Sequence, residues 1–290
     1  MELELIADYG CLTGEGPLWH PLERRLYWVD IPPGRLFRYD PAQGHHEPCY
    51  AAGESIGGFT VQADGALLLF MARGAVSLWR EGTLTPVIPE IPEERESRFN
   101  DVIADPEGRV FCGTMPVGER GGSLYRLDTD GALTRVLDGV QISNGMGFSP
   151  DLTQFYYTES LARTIWLFDY DRATGALSRR RAFVRTPEHE GVPDGLTVDA
   201  EGHVWSARWD GGCLVRYRPD GSEDFRVEFP ARQVSCATFG GPDYRDLYVT
   251  TAGGDDKAAN GPGAGALFRL RPGVQGRPEF FSRIAVGKEE

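Results

Sequence analysis

The stretch from Gly191 to Trp205, GVPDGLTVDAEGHVW, reads as two short strands around a tight turn. Asp, Ala, Glu and Gly supply the turn, and the apolar and β-branched residues on either side mark segments that bury one face. An aspartate, Asp194, stands where the first strand begins. A carboxylate at the entry of a core strand needs a reason, and the rest of the chain supplies one. The same design recurs in EGPLWHPLERRLYWVD from Glu15, GGFTVQADGALLLF from Gly57, NDVIADPEGRVFCG from Asn100, NGMGFSPDLTQFYYTES from Asn144 and SCATFGGPDYRDLYVT from Ser235. With the copy at Asp194, the six units start 42, 43, 44, 50 and 41 residues apart.

A repeat of about 40 to 50 residues built from strand pairs is the mark of propeller blades. Each unit continues into further strands, among them GRLFRYDP, AVSLWREG, GSLYRLDTDG, RTIWLFDYDRATG, GCLVRYRPDG and GALFRLRPG. Their alternation fits half-buried antiparallel strands. Four strands in each of six units predict an all-β fold, a six-bladed β-propeller formed as a single domain over residues 1–290. The leading ELELIADY belongs to no unit and is expected to close the ring as a strand of the last blade. Only GGDDKAANGPGAG, residues 253–265, reads as a mobile loop.

Composition narrows the function classes. Forty-three acidic against 30 basic residues leave a formal net charge of −13, which disfavours nucleic acid and anionic membranes and favours a bound cation. The N-terminal MELELIADYG lacks the basic and apolar regions of a secretory signal, and no run of about 18 apolar residues occurs, so a cytoplasmic protein is expected. Five scattered cysteines, never spaced as C-x-x-C, read as buried thiols.

In a propeller the innermost strand of each blade lines the central channel. One register position repeated six times therefore makes a ring around the axis, and here it holds Glu15, Gly57, Asn100, Asn144, Asp194 and Ser235. Asp and Asn are common turn formers when taken singly. Four oxygen-bearing carboxylate and carboxamide side chains at one register are a different matter, because hard divalent cations prefer such cages and two buried carboxylates on one channel call for a compensating cation. The chain has only three asparagines, and Asn100 and Asn144 both fall on the ring.

Other motifs carry less. GESIG at residues 53–57 matches the nucleophile elbow, but Ser55 precedes a strand where that chemistry needs a turn into a helix. His20, His45, His46, His189 and His203 lack zinc spacing, and the recurring tryptophans fit blade packing.

The segments GEGPLW, RFNDVIADPEGRVFCGTM, SNGMGFSPDLTQFYYTES, PDGLTVDAEGHVWSARWDGG and FGGPDYRDLYVTTA, in this order over about residues 9–270, resemble the senescence marker protein, gluconolactonase and luciferin-regenerating enzyme family, which includes regucalcin and bacterial sugar lactonases. The resemblance implies a six-bladed propeller with one divalent metal in its channel, Ca²⁺ foremost, with Mg²⁺, Mn²⁺, Zn²⁺ or Fe²⁺ as alternatives. It implies that Glu15, Asn144 and Asp194 are the metal ligands and that Arg98 and Asn100 bind substrate, with Glu119 in the following loop as a further substrate contact. Glu159 stands where the family usually has Asp. The implied reaction is hydrolysis of a sugar lactone, a gluconolactone or pentonolactone, to the aldonic acid, with Asp194 as general base. Two alternatives stand beside it: a propeller serving as an interaction module, and a metal-dependent hydrolase of other lactones or phosphoesters.

Overall fold

The computed structural model describes residues 1–286 and contains six sheets of four antiparallel strands. Blade 1 runs Gly14–His20, Arg25–Asp30, Arg35–Asp40 and His45–Ala51. The inner strands of blades 2 to 6 are Ile56–Val61, Phe99–Ala104, Ser143–Phe148, Val192–Val198 and Gln233–Gly240, so every unit read from the repeat is one blade. The N-terminal strand Glu4–Asp8 pairs antiparallel with Ala266–Leu270 and completes blade 6 from outside, as expected for the leftover segment.

The core is divided into apolar layers between neighbouring blades. Trp205 and Leu214 of blade 5 meet Phe239, Leu247 and Phe268 of blade 6, while Trp19 and Trp28 of blade 1 meet Tyr248 and Leu267 of blade 6. These three tryptophans thus serve packing. Inner hairpins carry buried turn aspartates. Asp199 accepts the backbone N–H groups of Glu201 and His203 through Oδ1 and the Trp205 indole through Oδ2. Arg216 closes the same carboxylate at 2.7 Å, so the Asp199, Glu201 and His203 trio is already neutralised in part by an arginine and lies away from the ring.

One segment was not foreseen. After the last strand, residues 272–286 run beneath the ring as a strap. Its backbone bonds reach Ala200, Tyr244, Val61, Gly108 and Thr129, which belong to blades 5, 6, 2 and 3, and Arg277 donates to Ser149 O of blade 4. The strap covers the channel end where the inner hairpins turn. Residues 253–265 are better anchored than their composition implies: they hold a short helix, Lys257–Asn260, whose Lys257 pairs with Asp8 at 2.6 Å.

Candidate active site

Each inner strand breaks its pairing register at the ring: between Glu15 and Leu18, Ile56 and Gly58, Phe99 and Val102, Asn144 and Met146, Pro193 and Leu196, and Val234 and Cys236. A bulge adds a residue to one strand and re-aims the side chains beside it. Here Glu15, Asn100, Asn144 and Asp194 face a cavity of about 440 Å³ at one mouth, while Asp101, the residue after Asn100, faces a smaller cavity of about 70 Å³ on the strap side. The glycines of SNG and PDG follow from the crowding at the axis. A Cβ on Gly145 would lie 2.5 Å from Leu196 N, and one on Gly195 would lie 2.4 Å from Cys236 Sγ.

Four of the six ring positions reach the cavity. Gly57 has no room for a side chain, since a Cβ would lie 2.1 Å from Phe99 O, and Ser235 bonds Gly14 O and Thr250 between blades. Glu15 and Asp194 are 3% and 5% exposed. The Gly16 N–H donates to Glu15 Oε2 at 2.7 Å. The Asn144 amide donates to Ser160 Oγ at 3.1 Å and to Asp194 Oδ1. Its own Oδ1 is buried with no partner.

The electrostatics are unbalanced. Burial pushes the carboxyls of Glu15 and Asp194 well above the usual range, and the Asp101 charge pushes both further. Asp101 itself is lifted to about 7 by burial, against the pull of Arg98. Arg98 is the cation facing these groups, and burial lowers its own pKa despite the three carboxylates. Two buried carboxylates with a half-buried third nearby, against one guanidinium and with an orphaned amide oxygen beside them, suit a divalent cation held by oxygen.

Arg98 and Asn100 brace one another. Arg98 Nη1 donates to Asn100 Oδ1 at 2.7 Å and to Phe99 O, and Asn100 Nδ2 donates to Ser143 O at 2.9 Å. Glu119 is not brought to the cavity. It is exposed in its loop, where its neighbour Arg120 pairs with buried Glu94 at 3.0 Å. Glu159 accepts from Gln141 N and the Trp166 indole, a structural task. Ser55 Oγ donates to Pro32 O, and its segment enters the strand Ile56–Val61, so the elbow geometry is absent there. Sequence reasoning missed Ser160, Asp101 and the cavity wall of Met115, Ile142, Leu161, Val192 and Trp209.

The family described as SMP-30/Gluconolactonase/LRE-like region matches residues 13–253. The chain belongs to this family. Among its relatives is the pentonolactonase XacC of Haloferax volcanii, 52% identical over 294 residues that cover 99% of this chain and all of that protein. Two solved structures of the family's kind superpose closely. A luciferin-regenerating enzyme has a TM-score of 0.89 at 29% identity, covering 98% of this chain and 99% of that one. A calcium-binding regucalcin from Agrobacterium tumefaciens has a TM-score of 0.88 at 30% identity, covering 97% of each chain. These likenesses weigh against a bare interaction module. Among the described residues no helix is long and apolar enough to cross a membrane.

Proposed function

We propose that this lactone hydrolase opens a sugar lactone of the pentonolactone or gluconolactone type to the aldonic acid, using a divalent cation, Ca²⁺ foremost, held by Glu15, Asn144 and Asp194. The observation that carries the reading is the unpartnered Asn144 Oδ1 set beside two buried carboxylates. The pentonolactonase relative supports the substrate class and the calcium-binding neighbour supports the ion. When bound, such an ion polarises a carbonyl and acidifies water.

The chain's own residues do the rest. Burial and the Asp101 charge raise the proton affinity of Asp194, which suits it to take a proton from the attacking water. Water oxygen bonds to the carbonyl carbon, the ring C–O bond then breaks, and Asp194 returns the proton to the departing ring oxygen. Asn144 holds the Asp194 carboxylate in place through its amide, itself steadied by Ser160. Arg98 offers positive charge to the carboxylate that forms, and Asn100 fixes the guanidinium.

The test is Asp194→Asn assayed at saturating cation. A general base is worth about 10² to 10⁴ in rate, so kcat should stay at least about a hundredfold down, while Asn144→Asp retains more activity. Near-complete recovery of Asp194→Asn would leave that residue as a ligand only.

A further inference from the structure

The wall of the large cavity differs from its floor. The floor is the polar ring, and outside it stand Met115, Ile142, Leu161, Val192 and Trp209. Backbone bonds set them around the floor. Met115 N donates to Arg98 O, Ser160 N to Ile142 O, and Leu161 N to Gln141 O, so Ile142 and Leu161 stand side by side beyond Asn144. Val192 pairs with Trp209 at the start of the strand that carries Asp194.

Two of these residues are out of keeping with a purely structural role. Leu161 is 56% exposed, a large apolar side chain at the mouth of a polar site. Ile142 has φ +64, and among the described non-glycine residues with positive φ it is the one β-branched residue. That conformation is strongly disfavoured for such a side chain, and strain of this kind gathers at ligand sites. A glycine or asparagine would relieve it, and neither would put a branched hydrocarbon on the cavity wall.

Few polar groups remain to receive substrate hydroxyls beyond the floor. Asn100 spends both its amide atoms on Arg98 and Ser143. At the rim, Asp210 is held by Arg232 at 3.1 Å and by Gln233. Thr13 and Asp210 lie elsewhere in the lining, and a substituent projecting toward Ile142, Leu161 and Trp209 meets carbon.

We propose that the enzyme has a second substrate class, γ-lactones bearing an alkyl substituent, whose chain packs on Ile142, Leu161 and Trp209 while the ester sits on the polar ring. The inference rests on the lactonase reading above and uses the same chemistry. Water adds to the carbonyl carbon, the ring acyl C–O bond breaks, and the proton goes to the departing oxygen, giving a γ-hydroxy acid.

The experiment compares kcat/KM for unsubstituted γ-butyrolactone, γ-octalactone and a pentono-γ-lactone on cation-supplied protein. Each methylene removed from water is worth about fourfold, so γ-octalactone should exceed γ-butyrolactone by at least about tenfold. In Leu161→Asn, whose site is exposed enough to spare the fold, the ratio of γ-octalactone to pentonolactone turnover should drop at least about fivefold. Equal rates for γ-octalactone and γ-butyrolactone, with the pentonolactone turned over, overturn the apolar subsite and leave the sugar lactonase standing. An unchanged ratio in Leu161→Asn overturns the assignment of the wall. If none of the three lactones opens, the proposed function itself fails and this inference falls with it.

Discussion

Glu279→Gln probes how the closed end of the channel responds to pH. Glu279 reaches from the strap into the smaller cavity, where Asp101 also lies. Burial lifts its carboxyl from the ordinary 4.5 to about 7, against the opposing charge of Arg277. In a sealed site that displacement corresponds to about 3 kcal/mol between the two protonation states. Glu279 is only half-buried, and water at its edge reduces this to about 1–2 kcal/mol. The sign follows from the direction. A carboxyl whose folded value lies above its unfolded one contributes stability at low pH, and that contribution is lost as pH rises through about 7. Glutamine cannot ionise, so the variant should match the wild type in acid and exceed it by about 1–2 kcal/mol above about pH 8, or about 2–6 °C in Tm. Thermal unfolding followed by tryptophan fluorescence, on chelated and cation-supplied protein at both pH values, measures this. Parallel pH dependence in the two proteins would refute the burial of the Glu279 carboxyl at the smaller cavity.

Three further outcomes are expected. Chelation should abolish lactone hydrolysis and added Ca²⁺ should restore it; full turnover in protein proved metal-free by elemental analysis would sink the cation-assisted mechanism. Ser55→Ala should stay within about threefold of wild-type kcat, because its hydroxyl serves only Pro32 O; a loss above about a hundredfold in folded protein would reopen the serine-hydrolase reading. Gly145→Ala should lower stability by about 1–3 kcal/mol and weaken kcat/KM with it, since its Cβ would press on Leu196 N at 2.5 Å and push blades 4 and 5 apart; an unchanged Tm would contradict the crowding at the axis.

The blades were legible because the repeat is long and each copy carries its own turn residues, and the closing strand was legible as the leftover. The ring was legible because the repeat puts Glu15, Asn100, Asn144 and Asp194 at one register, whereas the bulge that aims them has no sequence mark apart from the glycines beside it. Asp101 was not, because strand alternation gives no hint that two consecutive residues, Asn100 and Asp101, serve opposite ends of one channel. The strap escaped notice because it forms no sheet of its own: its bonds are scattered over the hairpins of blades 2 to 6, and among the described residues its one bridge joins Ser282 to Gln62. The apolar wall was also hidden, since Ile142 and Leu161 flank the inner hairpin of blade 4 while Trp209 ends a strand of blade 5, and only the docking of the two blades brings them to one cavity.

The pairing of Glu4–Asp8 with Ala266–Leu270 bears on how the protein is born. On a ribosome adding about 5–20 residues per second, the early strand waits roughly 10 to 50 s for its mate. Throughout that interval the growing arc exposes the apolar flank of its first blade, and Glu15 and Asp194 have no fixed spacing. Cation affinity should therefore appear abruptly, with the last strand, and not grow with each blade. A nascent chain arrested before residue 266 would be an open arc, with the flank that the closed ring buries still bare.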